Sequence, residues 1–386
     1  MAIFNSLGSN YNLRYVLRSL LSDISGQKVK LKNFLQDKYG GKAILAYKGR
    51  EALTFAFKIL DLPQDSCVAI NGFTCYTVYK SVHEAGLVAI CLDLDEENSD
   101  LNFTVENLKK TLEQNKNIKV VIVQNTLGAP CDIEKIAQIC KEEKLYLIED
   151  LPHCVGAKYP NGKEAGTVGD FACLSFSQDK LIDAVSGGAL IIRNKKYRKF
   201  QTPKFKNISW SQQFKDRFYP LFTSEIRSLY DLLLGKILHY FLKKMDLMSN
   251  PMSGSYDCRL LPDWYCNLAL MEFRKLKTQL NHRRKIARIY AKTLNKKILN
   301  SSINNKISLS ANLRFSVFVN NRKDLIKFLK KSNIFVSDIW YSDVAPECPN
   351  AVEISHKILN LPTHINVSNK DALRISERIN TWLKSQ

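Results

Sequence analysis

The sequence predicts an α/β protein built on a mostly parallel, doubly wound sheet. Short apolar segments alternate with helical stretches of about 10–15 residues through residues 43–193. One of these segments, 119–123, is apolar throughout after its lysine, which is typical of a strand buried on both faces of a parallel sheet. With 386 residues, 45% of them hydrophobic, the chain is long enough to bury more than one core.

Changes of pattern divide the chain into four parts. Residues 1–40 are predicted to form an N-terminal arm, and residues 41–193 the core of the large domain. Residues 194–260 are predicted to form a basic helical insertion or a continuation of that domain. Residues 261–386 begin with a long helical pattern and continue as a mixed one, which predicts a linker helix and a smaller α+β domain.

The composition indicates an intracellular protein. No run of about 18 apolar residues occurs, so no spanning helix is expected. The first 20 residues lack the basic and apolar regions of a secretory signal. The 10 cysteines show no CxxC pair and no zinc-finger spacing, which predicts buried thiols in a reducing compartment. We therefore expect a cytoplasmic location.

An acidic pair and a lysine mark the turns of the stretch 146–188. Glu149 and Asp150 follow one short apolar strand, and Lys180 ends the polar turn after a second apolar run, 171–176. Pyridoxal phosphate (PLP) needs such groups: a lysine amine forms a Schiff base with the cofactor, and a carboxylate keeps the pyridine nitrogen protonated. The pattern predicts Lys180 as the attachment residue and Asp150 as the partner of the ring nitrogen.

The same stretch resembles the sugar aminotransferases of the DegT/DnrJ/EryC1/StrS family. The core of that family reads roughly EDxAQ(H)xxGA, then GxxGD, then SFxxxK, then GGA. The matching pieces here, in the same order, are Glu149-Asp150, His153, Gly156-Ala157, Gly166, Gly169-Asp170, Ser175-Phe176, Lys180 and Gly187-Gly188-Ala189. The resemblance covers residues 40–193 closely and 260–386 more loosely. It implies a PLP-dependent transferase of fold type I, with a seven-stranded sheet, and a homodimer.

Three further site residues follow from this resemblance. His153 stands where the family places a Gln or His near the 3-oxygen of the ring, although a surface histidine is the alternative. Ser175 occupies the position of a phosphate-binding hydroxyl, whereas Ser177 and Gln178 replace a frequent histidine. Asn125, at the carboxyl end of a predicted parallel strand, is expected to contact cofactor or substrate.

Residues 43–60 are predicted to form a short strand, a glycine turn at Lys48-Gly49-Arg50 and then a helix. Gly49 and Arg50 would present free backbone N–H groups and the positive helix end to a phosphate. The element resembles the family's SGTxAL motif, with Lys48 and Arg50 in place of two small residues. The Arg50 guanidinium either adds to the phosphate site or points to solvent.

The aromatic residue that stacks on the cofactor ring in this family is not evident. Alignment at Thr74 places Cys75 where the aromatic residue usually stands. Either Tyr76 or Phe73 supplies the stacking face, or the Cys75 thiol packs there; we favour Tyr76. An alternative is that all three are core residues.

The resemblance implies transfer of an amino group, with glutamate as the expected donor, to a keto group of a nucleotide-activated keto-sugar. Such a reaction belongs to the biosynthesis of cell-surface polysaccharides or secondary metabolites. Relatives that dehydrate sugars carry histidine in place of the lysine, so Lys180 favours transamination. A further alternative is a membrane-surface or regulatory protein.

That alternative arises from the charge of the chain. The formal net charge is +20, which suits an anionic substrate, a membrane surface or nucleic acid, or reflects a lysine-rich proteome. Residues 193–215 hold eight Lys and Arg residues and no acid, and 223–244 has the pattern of one amphipathic helix. We expect an insertion packed on a dimer partner or over the active-site mouth. Contact with an anionic bilayer is the next alternative, and nucleic acid binding is the least favoured.

Overall fold

The computed structural model describes residues 2–21, 24–95, 101–336 and 344–386. The strands of this part are β1 Ile3–Phe4, β2 Lys42–Ala46, β3 Cys67–Asn71, β4 Val88–Leu92, β5 Ile118–Val123, β6 Tyr146–Asp150, β7 Phe171–Ser175, β8 Gly188–Ile192, β9 Arg314–Phe318, β10 Ile334–Phe335 and β11 Ile358–Pro362. The helices are α1 Leu13–Leu21, α2 Gln27–Tyr39, α3 Gly49–Leu60, α4 Tyr76–His83, α5 Val105–Gln114, α6 Ile133–Glu142, α7 Trp210–Ser228, α8 Leu234–Lys244, α9 Asp263–Thr293, α10 Ser301–Asn305, α11 Arg322–Lys331, α12 Pro349–Lys357 and α13 Asn369–Lys384.

The large sheet has seven strands in the order β2-β8-β7-β6-β5-β3-β4. The neighbouring pairs from β7 to β4 are parallel, whereas β8 runs antiparallel to both β7 and β2. Helices α4, α5 and α6 lie in the crossovers from β3 to β4, β4 to β5 and β5 to β6, whereas the crossover from β6 to β7 contains no helix. The predicted mostly parallel α/β sheet is confirmed.

The antiparallel β8 determines where the turn carrying Lys180 lies. Ser175, the last residue of β7, pairs directly with Gly188, the first residue of β8. The connection 176–187 therefore begins and ends at the carboxyl edge of β7 and contains no helix. Lys180 is consequently held at the sheet edge where ligands bind in open α/β folds.

Core residues cover both faces of this sheet. Val121 and Val123 belong to one hydrophobic cluster, which includes much of α9, and Val120 and Ile122 belong to the cluster under α3. This alternation shows that β5 is buried on both faces, as its apolar sequence predicts.

A second core lies in the C-terminal part. Strands β9 and β11 pair antiparallel, and β1 from the N-terminal arm pairs with β10. Helix α9 packs its first half in the large core and its second half, from Ile286 onward, in the small one. One straight element therefore belongs to both cores and links them.

The expectation of one amphipathic helix over 223–244 is wrong. Helix α7 ends at Ser228, and α8 begins at Leu234. Leu233 between them has a φ of 64°, a left-handed conformation that an α-helix does not accommodate. Among the helices of the described ranges, none has the length and apolar character needed to cross a membrane.

The two acids that end β6 point to opposite faces of the sheet. The buried Glu149 carboxylate accepts a hydrogen bond from the Tyr159 hydroxyl at 2.8 Å. It also accepts the backbone N–H groups of Gly166, Val168 and Gly169 at 2.6, 2.7 and 2.6 Å. Glu149 thus organises the crossover between β6 and β7, which leaves Asp150 to face the other side.

We expect Glu149→Ala to lower the free energy of unfolding by more than about 3 kcal/mol, because it leaves two buried N–H groups, a partly buried one and the buried Tyr159 hydroxyl without an acceptor. Denaturant titration of the purified chain measures this loss. Glu113→Ala, which changes an exposed glutamate on α5, is the matched control and should cost less than about 0.5 kcal/mol. Equal losses in the two variants would contradict the role given to Glu149.

Candidate active site

Two adjoining cavities open at the carboxyl edge of the sheet, with volumes of about 260 Å³ and about 80 Å³. The smaller cavity is lined by Gln124, Asp150, Pro152 and His153, among others. The residues that line both cavities are Gly49, Arg50, Cys75, Thr77, Ser175 and Lys180. The structure therefore brings together seven of the nine site residues expected from the sequence.

A lysine–histidine contact lies beside the smaller cavity. The Lys180 Nζ is 3.1 Å from His153 Nε2. The other ring nitrogen, Nδ1, accepts the backbone N–H of Leu127 at 3.4 Å, which places the proton of the neutral ring on Nε2. Nε2–H then faces the Lys180 amine, which would accept this hydrogen when the amine is uncharged. Burial lowers the pKa of Lys180 and holds the pKa of His153 well below its usual range, so both groups favour their neutral forms.

Asp150 is buried in the same cavity. Burial raises the pKa of its carboxyl to about 7, and the nearby Lys180 acts in the opposite direction. A positively charged group placed against this carboxylate would be strongly favoured, since it would relieve the cost of the buried negative charge. The pyridinium nitrogen of PLP is such a group.

The start of α3 forms a cradle against β7. Gly49 opens the helix, and Lys48 before it makes no side-chain capping bond, so the first N–H groups of α3 are not capped by that residue. A Cβ at Gly49 would lie 2.7 Å from the Ser175 Cβ and 3.1 Å from its Oγ. Only glycine permits this close approach, which brings a helix N-terminus beside a serine hydroxyl at the border of the two cavities, where both groups could bind a phosphate.

The Arg50 side chain has a different role from the two considered above. Its guanidinium is buried and donates to the carbonyl oxygens of Met252 at 3.1 Å and of Pro251 and Ser255 at 3.3 Å, and also to that of Ser253. Arg50 therefore points neither to solvent nor to the cradle. It fastens residues 251–255 beside the larger cavity, which Pro251 and Met252 line.

The residues after β3 place a thiol in the site. Cys75 lines both cavities, and its Sγ lies 3.2 Å from Thr77 Oγ1. Tyr76 begins α4 with 49% of its surface exposed, and Phe73 packs in a separate hydrophobic cluster with Leu94. Neither aromatic side chain lines the cavities. The stacking role expected of Tyr76 therefore has no geometric support, because the helix start turns its ring outward.

Asn125 lies outside both cavities. Its side chain donates to the Tyr159 hydroxyl at 2.8 Å and accepts the Cys131 N–H at 2.9 Å, and it is fully buried. Neighbouring Gln124 lines the smaller cavity instead and accepts a hydrogen bond from Thr74. Side chains at the end of a strand alternate between faces, and this alternation was the available signal for Gln124. Thr77 lines both cavities as well, and no pattern in the sequence around it predicts this position.

A partly buried lysine and a buried carboxylate beside a glycine-opened helix, on a seven-stranded sheet with a single antiparallel internal strand, define a PLP-dependent transferase of fold type I. The chain belongs to the DegT/DnrJ/EryC1/StrS aminotransferase family, whose model matches residues 24–380. The resemblance predicted from the sequence is confirmed, and PLP is the cofactor.

Curated relatives match over part of their length. The GDP-perosamine synthase of Vibrio cholerae is 32% identical over 143 residues, which are 37% of this chain and 38% of that protein. The GDP-perosamine synthase of Escherichia coli O157:H7 is 28% identical over 162 residues, 42% of this chain and 43% of that protein. Both alignments span less than half of the relative's length.

Solved structures match over the whole chain. Helicobacter pylori PseC, an aminotransferase involved in the biosynthesis of pseudoaminic acid, has a TM-score of 0.74 with 16% identity and covers 100% of both chains. A DegT DnrJ EryC1 StrS aminotransferase from Brucella abortus has a TM-score of 0.70 with 18% identity and covers 96% of this chain and 95% of its own. These likenesses confirm the fold.

The buried Asp150 predicts a pH-dependent difference in stability. The folded chain without cofactor holds the Asp150 proton up to about pH 7, whereas the unfolded chain releases it near the ordinary value of 3.8. Wild-type stability therefore falls relative to Asp150→Asn as the pH rises through this window. We expect the variant to gain up to about 4 kcal/mol over wild type between pH 4 and pH 8.

Denaturant unfolding of both cofactor-free proteins at several pH values measures this difference. Asp231→Asn, which changes an exposed acid, is the control and should keep a constant difference from wild type across the range. A constant difference for Asp150→Asn as well would contradict the raised pKa of the Asp150 carboxyl.

Proposed function

We propose that this chain is an aminotransferase that moves an amino group from an amino acid, with glutamate as the donor, to the keto group of a nucleotide-linked sugar. The observation that carries the proposal is the partly buried Lys180 amine, which contacts His153, lies near Asp150 and borders both cavities. Membership of an aminotransferase family supports the reaction. The names of the GDP-perosamine synthases and of PseC support a sugar substrate. The reaction would belong to the biosynthesis of cell-surface polysaccharides or secondary metabolites.

The buried groups divide the work of binding. Asp150 would face the ring nitrogen, and the Gly49 cradle with Ser175 would hold the phosphate. His153 would lie near the ring oxygen while its Nε2–H orients the lysine amine. Asp150 and His153 line only the smaller cavity, whereas Gly49 and Ser175 border both cavities, so these groups would hold different parts of the cofactor.

When bound, PLP supplies an electron sink that stabilises negative charge on the carbon losing a proton. The Lys180 amine, once released by the amino donor, would be the base that takes this proton at Nζ and returns it to the carbon on the other side of the transferred nitrogen, a 1,3 shift. Burial serves this role, because a lysine with a lowered pKa is uncharged in a larger fraction of molecules at neutral pH. The presence of lysine rather than histidine at this position supports transamination over sugar dehydration.

We also propose a cytoplasmic homodimer. Large apolar side chains are exposed along residues 210–245, which supports a protein partner for this face. They include Trp210, Phe214, Leu232, Leu233, Leu234, Ile237, Tyr240, Phe241 and Met245. The positive net charge suits the phosphates of a nucleotide-linked substrate.

The first prediction concerns the attachment residue. The purified protein with PLP should show the visible absorption band of a lysine-bound cofactor, and glutamate alone should remove that band by completing half of the reaction. Borohydride reduction followed by peptide mass spectrometry should locate the cofactor on Lys180. Lys180→Ala should lose both signals, whereas Lys195→Ala, at an exposed lysine, should retain them. Label on another lysine, or a band that survives in Lys180→Ala, would refute the assignment.

The second prediction concerns the exposed face of residues 210–245. Light scattering should give the mass of a dimer, and the double variant Ile237→Asp with Phe241→Asp should shift it towards the monomer by removing apolar contact area. A membrane contact would give a different result: a monomeric wild type that co-sediments with anionic vesicles at low salt and is released at high salt.

A further inference from the structure

Lys48 carries a buried charge that the mechanism above does not use. Its side chain is 4% exposed and lines the larger cavity. The ammonium lies 4.9 Å from the centre of the Tyr47 ring, and within the described ranges no hydrogen bond or ion pair engages it. A buried cation without an anionic partner is costly, so its position requires a ligand or a nearby acid.

The acids around Lys48 are already bound to other groups. The Asp216 carboxylate accepts the hydroxyls of Tyr47, Ser249 and Tyr265 at 2.5, 2.6 and 2.7 Å. It also accepts the Gln212 amide at 2.8 Å. Four donors of this kind satisfy a buried carboxylate without a lysine.

Glu51, the other acid near Lys48, is occupied in the same way. It accepts Nη2 of Arg259 at 2.6 Å and both Nε and the backbone N–H of that residue at 2.9 Å. Burial lowers the pKa of the Lys48 ammonium to about 8, with Arg50 and Arg259 acting in the same direction and Asp216 and Glu51 against it. An anion entering the cavity would stabilise the charged form.

Ser177 offers a second group without a partner at the same place. Its hydroxyl is buried, has no hydrogen bond in the described part of the chain, and belongs to a side chain that lines the larger cavity. The backbone N–H of Ser177 donates to the Ser175 Oγ at 3.4 Å, so the two serines lie side by side. Buried hydroxyls are normally paired, and an orphaned one that borders a cavity points to a ligand.

The two cavities divide these groups into three sets. Asp150 and His153 line only the smaller cavity, and Lys48 and Ser177 only the larger one. Gly49, Ser175 and Lys180 border both. A cofactor whose ring nitrogen meets Asp150 would direct its phosphate past Ser175 towards Lys48.

We propose that Lys48 and Ser177 complete the phosphate subsite for PLP, with Lys48 as its positive charge. The proposal rests on the placement of the cofactor given under the proposed function. The Lys48 ammonium pairs with the phosphate dianion, the Ser177 hydroxyl donates to it, and the first N–H groups of α3 provide the remaining donors. Arg50 is excluded from this role because residues 251–255 occupy its guanidinium.

The test compares PLP with pyridoxal, which lacks the phosphate, by absorbance titration of the cofactor-free full-length chain. Lys48→Met should weaken PLP binding about tenfold or more and leave pyridoxal binding within about twofold. Ser177→Ala should act in the same direction by about threefold, and Lys48→Arg should retain most of the preference for PLP. Lys195→Met, at an exposed lysine, should behave as wild type.

Two results would overturn the proposal. Equal losses for PLP and pyridoxal in Lys48→Met would make Lys48 a structural residue, and unchanged binding of both would remove it from the site. A second measurement guards against a folding defect: inorganic phosphate should raise the thermal midpoint of the cofactor-free wild type and not that of Lys48→Met. Phosphate protection that is equal in the two proteins would also refute the assignment.

Failure of the proposed function would be distinguishable from these results. If borohydride labels a residue other than Lys180 in the wild type, the placement of the cofactor is wrong. If Lys180 is labelled while the preference for PLP over pyridoxal is unchanged in Lys48→Met, only the phosphate assignment fails.

Discussion

The close contact between the start of α3 and the strands β7 and β8 is the constraint on which the site depends. A Cβ at Gly49 would meet Ser175 at 2.7 Å, and a Cβ at Gly188 would meet the Gly49 backbone at 2.8 Å. Two glycines facing each other thus let a helix N-terminus approach the sheet with no side chain between them. This contact places the N–H groups of α3 beside Ser175. The backbone of Lys48 forms an isolated β-bridge with Gly187, and Lys48 lines the larger cavity.

The buried charges of this region fall into two groups. Glu149 and Asp216 each accept four hydrogen bonds, and Glu51 is paired with Arg259, so these acids hold loops and helices in place. Asp150 and Lys48 lack comparable saturation, and burial shifts the pKa of each towards its neutral form. A ligand with a cationic end and an anionic end satisfies both charges together. These two incompletely paired groups therefore lie at the place where we propose that PLP binds.

The end of the basic insertion forms part of the cavity wall. Arg50 holds residues 251–255 through backbone carbonyls, and the Glu51–Arg259 pair fastens the chain a few residues later. On the other side, Gln178 donates to the Ser249 hydroxyl at 2.9 Å, and that hydroxyl donates to Asp216 on α7. The segment is therefore anchored to α3, to the turn carrying Lys180 and to α7. Its shape limits what enters the larger cavity, so residues that are distant in sequence define the space left for substrate.

The sequence by itself determined the sheet, the family and the order of Asp150, Ser175 and Lys180, because strand ends and the turns after them are local features. Tertiary structure decided what depends on side-chain direction and on distant partners. Arg50 bonds to residues about 200 positions away, which no local pattern shows. Gln124 lines the cavity in place of Asn125 because alternate side chains at a strand end face opposite sides of the sheet. The predicted 223–244 helix breaks at 229–233 for a related reason. Apolar periodicity shows which residues could lie on one face of a helix, but tertiary packing determines whether that helix is continuous.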